Sequence, residues 1–134
     1  MGNTKRMTVG KLMFSPGPVC YKKGGHLSIT DANLVMGRLV PSLFPSIFGP
    51  KANEPLYAEA SFAAFAQLTA EINSERAAAV PYTVYQVAAG FLKIANEGMS
   101  RPMRKLTEQR GFALASHDLC CFGGSVMQCK RTIR

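Results

Sequence analysis

Thr83-Val84-Tyr85-Gln86-Val87-Ala88-Ala89-Gly90-Phe91-Leu92-Lys93-Ile94-Ala95-Asn96-Glu97-Gly98-Met99 is the stretch on which the fold class turns. Val84, Val87, Ala88, Phe91, Leu92, Ala95 and Met99 recur three and four apart, the period of one face of an α-helix. Thr83-x-x-Gln86 ahead of it is a capping box: the threonine hydroxyl can accept the Gln86 N–H while the Gln86 side chain reaches back to the Thr83 N–H. Pro102 is expected to kink this helix or restart it, since proline has no N–H to give and its ring crowds the preceding turn. Met103 and Leu106 carry the apolar face onward, and Gly111, after Arg104, Lys105 and Arg110, offers a left-handed stop.

Two more helices are read outward from there. Thr30 can cap a helix whose first turn holds Asp31, and Leu34, Val35 and Leu39 give it an apolar stripe; Pro41 ends it, so it spans 31–40. A second covers 58–78, with Phe62, Phe65, Ala66, Thr69 and Ile72 on its buried face and Glu71, Glu75 and Arg76 at outer or terminal positions. Two short apolar runs read as strands: Val19-Cys20-Tyr21, set between Pro16-Gly17-Pro18 and Lys22-Lys23-Gly24-Gly25, and Leu119-Cys120-Cys121-Phe122, ending in Gly123-Gly124. The chain is therefore expected to be mainly α with one or two short strands. Between Pro41 and Pro55 lies an apolar loop, Leu43-Phe44-Pro45-Ser46-Ile47-Phe48-Gly49-Pro50. Burying a Leu, Ile or Phe side chain is worth ~1.5–3 kcal/mol, so this loop should pack onto its own domain or onto a neighbour.

With 134 residues, 47% of them hydrophobic and 18% charged, the chain has room for one modest domain. No apolar run is long enough to span a membrane and no secretory core precedes the fold, so a cytoplasmic protein without membrane partners is expected. The net charge of +8 is confined to the ends. Lys5, Arg6, Lys11, Lys22 and Lys23 stand unopposed before Asp31, and Lys130, Arg131 and Arg134 close the chain. Eight cations balance eight acids in between, so no nucleic-acid face is indicated.

The four cysteines, Cys20, Cys120, Cys121 and Cys129, are too few for a disulfide scaffold, and no pair of Cys or His residues has chelate spacing, so no metal site is expected. Cys120 and Cys121 read as core, and a Cys20–His26 nucleophilic pair lacks an orienting third group. Gly24-Gly25 and Gly123-Gly124 are either turns or places where backbone amides approach a phosphate; the second pair directly follows a buried apolar strand, where ligands of open α/β sheets sit. Asp31 is either a first-turn helix acid or a carboxylate aimed into a pocket.

Five ordered stretches resemble one family: 16–25 (Pro-Gly-Pro-Val-Cys-Tyr-Lys-Lys-Gly-Gly), 27–39 (Leu-Ser-Ile-Thr-Asp-Ala-Asn-Leu-Val-Met-Gly-Arg-Leu), Ile47-Phe48-Gly49-Pro50, 95–102 (Ala-Asn-Glu-Gly-Met-Ser-Arg-Pro) and Cys121-Phe122-Gly123-Gly124. They are similar to the hydantoinase A and 5-oxoprolinase family, nearest to its ATP-hydrolysing eukaryotic branch. The resemblance implies a partial domain over 16–124, with 1–15 a divergent tail and 125–134 a divergent basic one, cut from an α/β, actin-like ATPase lobe of a far longer enzyme of glutathione metabolism. It implies the reaction 5-oxo-L-proline + ATP + water to L-glutamate + ADP + phosphate, with magnesium and potassium, in the parent enzyme, and an isolated chain that is inactive. Gly123 and Gly124 would approach the nucleotide; Thr30, Asp31, Asn33 and Arg101 match family motifs and are candidates for a pocket. The remainder of the enzyme or a second copy would be the partner. The alternative is a non-catalytic interaction or remnant module that docks through its apolar surface.

Overall fold

In the computed structural model, which describes residues 17–76 and 80–113, the first helix opens on Ser28 rather than Thr30. Ser28 is extended, its hydroxyl accepts the Asp31 N–H at 3.4 Å, and the Asp31 carboxylate accepts the Ser28 N–H at 2.9 Å. That reciprocal pair satisfies two backbone donors that a helix start would leave bare. Helix α1 therefore spans Ile29–Val35. Pro41 does not end it. Gly37 takes φ +67° and donates to the Leu34 carbonyl at 3.0 Å, while the Arg38 N–H donates to Asn33 at 2.9 Å. These two bonds close the helix on a left-handed glycine several residues before the proline is reached.

The expected strand at Val19–Tyr21 is a 3-10 turn. Tyr21 donates to the Pro18 carbonyl and Lys22 to that of Val19, each at 3.1 Å. An apolar triplet between two turn-forming stretches becomes a strand only where a neighbour offers a ladder, and here the Val19 and Cys20 N–H groups point to a side chain instead. Among the described residues no strand forms; Pro18 with His26 and Phe48 with Glu54 make isolated bridges. The other expected strand, 119–122, lies outside the described residues. The mainly helical expectation holds.

Helix α2 spans Ala58–Glu75, somewhat short of the expected 58–78. Arg76 is already extended, and the Asn73 side chain accepts the Tyr82 N–H at 2.8 Å and donates to the Tyr82 carbonyl at 2.9 Å, tying the chain that follows back to the last turn. Its buried row is Ser61, Phe65 and Thr69, four apart. Phe62, expected inside, is exposed and meets Tyr85 edge-on at 6.1 Å between ring centroids. Helix α3 spans Val84–Gln109. The Thr83/Gln86 box is present, at 2.8 and 3.2 Å. Pro102 neither restarts nor ends the helix. It removes one backbone bond from a 26-residue ladder whose turns on both sides remain bonded. Gly111, at φ +78°, then stops it: Gly111 donates to Glu108 and Phe112 to Thr107.

The chain divides into two compact units, Met1–Ala88 and Ala89–Arg134, with the boundary inside α3. In the first, α2 packs on both α1 and the 3-10 turn. Cys20, Leu34 and Leu56 form a small core flanked by Tyr21, Leu39, Phe48 and Ala58, and the Tyr21 and Phe48 rings stack at 4.6 Å. Gly25 sits where its backbone meets that of Gly17 and Pro18; a Cβ there would collide with the Gly17 carbonyl oxygen. Of the apolar loop, Phe48 turns into this core while Leu43, Phe44 and Ile47 face water. No helix among the described residues is long and apolar enough to cross a membrane.

Candidate functional site

The polar centre of the first unit is the carboxylate of Asp31, which has no exposed surface. Its Oδ1 accepts the Cys20 N–H at 2.9 Å and the Ser61 hydroxyl at 2.7 Å; its Oδ2 accepts the Val19 N–H at 3.2 Å, the Ser28 N–H at 2.9 Å and the Ser28 hydroxyl at 2.8 Å. A carboxylate has about four lone-pair positions, so five donors saturate it. The five donors come from three pieces of the chain. The 3-10 turn aims two successive amides the same way, the capping box supplies Ser28, and the first turns of α2 bring Ser61. One buried charge thus binds three segments distant in sequence, with hydrogen bonds standing in for the lost hydration.

Cys20 lies against the same carboxylate. Burial, then the Asp31 charge and a hydrogen bond to it, push its thiol up to about 12. The thiol is therefore protonated across the physiological range and is a poor nucleophile. An unfolded chain releases this proton near 9.0 and the folded one near 12, so between those values the folded state binds the extra proton and stability falls by ~1.4 kcal/mol per pH unit. Urea melts from pH 8 to pH 10.5 should show wild type losing stability more steeply than Cys20→Ala. Parallel pH profiles would contradict this placement of the thiol.

The candidate residues separate. Thr30, Asp31 and Asn33 share α1, where Thr30 and Asn33 are half-buried and three apart, and the Asn33 carbonyl accepts the Arg38 N–H. Arg101 is exposed on α3, in the second unit, and takes no part in the ion pairs found among the described residues, which are Lys22–Glu54 and Arg104–Glu97. Gly123 and Gly124 lie outside the described residues. The second unit has a depression of about 320 Å³ lined by Leu106, Thr107, Arg110 and Phe112, none of them a candidate. Sequence reading missed Ser28 and Ser61. Ser28-x-x-Asp31 is itself a capping-box pattern and could have been found; nothing local distinguishes Ser61 from any helical serine.

A family model, hydantoinase/oxoprolinase, matches residues 3–133. The chain belongs to the hydantoinase/oxoprolinase family. It is 56% identical over 112 residues to the 5-oxoprolinase of Dictyostelium discoideum, covering 82% of this chain and 9% of that protein. It is 49% identical over 114 residues to 5-oxoprolinase 1 of Arabidopsis thaliana, with the same two shares. The caprolactamase subunit alpha of Pseudomonas jessenii is 30% identical over 112 residues, 83% of this chain and 14% of that protein. The chain thus spans about a tenth of the length of these family members. No solved structure matches it.

Proposed function

We propose that the chain is a piece of an ATP-dependent 5-oxoprolinase, which opens 5-oxo-L-proline to L-glutamate while ATP is cleaved to ADP and phosphate, and that alone it is inactive. The observation that carries this reading is the 56% identity to the Dictyostelium 5-oxoprolinase over 82% of the chain. 5-Oxoproline and caprolactam are both cyclic amides, so the substrates for which these relatives are named share one bond type. An amide carbonyl is a poor electrophile, and coupling to ATP cleavage supplies the activation that water attack needs. The parent architecture in this proposal is an α/β, actin-like ATPase, working in the cytoplasm in glutathione metabolism.

What the described residues contribute is a frame. Magnesium and potassium belong to the proposed parent reaction, but Asp31 has no lone pair left for a cation, and among the described residues no three His, Cys, Asp or Glu side chains converge on one point. ATP contact is assigned in this proposal to Gly123 and Gly124 and to the remainder of the enzyme. Thr30 and Asn33 are left as the pocket candidates of α1, with Asp31 fixing the helix that carries them, and Arg101 as a separate one on α3. A second reading, a non-catalytic docking module, draws on the exposure of Leu43, 81%.

The test is a graft. The chain replaces its matching stretch in the Dictyostelium 5-oxoprolinase, and glutamate release from 5-oxo-L-proline with ATP, magnesium and potassium is followed. The graft is expected to make glutamate and the isolated chain to make none. A folded graft without activity would overturn the proposal.

A further inference from the structure

Val40, Leu43, Phe44 and Ile47 are all exposed. One exposed apolar side chain is ordinary, but four within eight residues of one loop mark a contact surface. Residues 39–50 carry no charged side chain.

The loop is not slack. Its near limb is a 3-10 turn, Pro41–Leu43, with Leu43 donating to Val40 at 3.0 Å and Phe44 to Pro41 at 3.1 Å. Its far limb is fixed to the core: Phe48 and Glu54 exchange two backbone bonds of 2.9 Å, and Gly49 donates to the Tyr21 carbonyl at 3.0 Å. The Lys22 ammonium bonds Glu54 and lies 4.4 Å from the centre of the Tyr57 ring. Apolar groups held out on an ordered backbone lose little freedom when they are covered.

We infer that this loop is an internal contact of the enzyme: Leu43, Phe44 and Ile47 seat against the part of a 5-oxoprolinase polypeptide that lies outside the matched stretch. This rests on the function proposed above. The occupant follows from length and charge. The matched stretch is 9% of the Dictyostelium 5-oxoprolinase, so nine-tenths of such a chain is at hand to cover it, and an uncharged loop calls for an apolar face of that same chain rather than for an anionic lipid or nucleic acid.

Single variants Leu43→Cys and Ile47→Cys, made in the whole chain and in the graft, are labelled with a maleimide and read site by site by mass spectrometry. Labelling of the isolated chain should be fast, and in the graft slower by roughly tenfold or more, as expected for a site exposed only by local opening. Equal rates in a graft that makes glutamate would overturn the inference and leave the proposed function standing. A folded graft that makes no glutamate removes both. Protection that appears in the isolated chain as its concentration rises would make a second copy the occupant, and the inference would be wrong.

Discussion

Replacing Asp31 by alanine is expected to abolish cooperative folding of the first unit. Five donors converge on its carboxylate, and three of them are backbone N–H groups with no alternative acceptor in their own segment. A buried donor left without a partner costs ~1–3 kcal/mol, and the whole stability of a domain is about 5–15 kcal/mol. The summed loss is thus comparable with everything that holds the unit together. Asp31→Asn is the graded companion. It keeps one carbonyl oxygen and its bonds, but turns an NH2 group toward donors, for an expected loss of about 2–4 kcal/mol. Urea unfolding followed by circular dichroism reads both. A loss below ~1 kcal/mol for Asp31→Ala would mean that other groups or water take over those donors, and that Asp31 is not the residue that organises the fold.

Phe65→Ala is expected to cost ~3–5 kcal/mol, because removing a fully buried aromatic ring leaves a cavity that the surroundings close only in part. Phe62→Ala, three residues earlier on the same helix, should cost under about 1 kcal/mol, chiefly the edge contact with Tyr85. The two residues are equivalent in chemistry and differ only in which way α2 is turned. Measured urea midpoints for the pair therefore report the rotation of α2 about its axis. Equal losses would contradict the assignment of Ser61, Phe65 and Thr69 as the inward row.

That rotation shows what the sequence could and could not convey. Where the signal is local, it was readable: the Thr83/Gln86 box needs only its own four residues, and the Gly111 stop only its own turn. The helix start at Ser28 is also local: Thr30 carries the same kind of side chain two residues on, but only Ser28 has an acid three residues later to complete the reciprocal box. Helix α2 has phenylalanines at 62 and 65, and apolar counting places both inside. The need to bring Ser61 to Asp31 turns the helix so that Phe62 is left out. The Val19–Tyr21 triplet is a turn rather than a strand for the same reason, since its first two amides are claimed by a carboxylate twelve and eleven residues away. Of the candidate site, resemblance drew attention to the Thr30-Asp31-Ala32-Asn33 segment, while the work of Asp31 within it, joining a turn and two helices, is a matter of packing that no motif states.

The buried carboxylate is the physical centre of the first unit, and amide hydrogen exchange reads it most directly. The Cys20 and Ser28 N–H groups belong to a turn and a helix cap, positions that ordinarily exchange through local fraying. With Asp31 as their acceptor at 2.9 Å each, they are predicted to exchange within about tenfold of the slowest amides of α2, and to lose that protection in Asp31→Asn. Exchange of these two amides at the rate of exposed loop residues in the wild-type chain would contradict it.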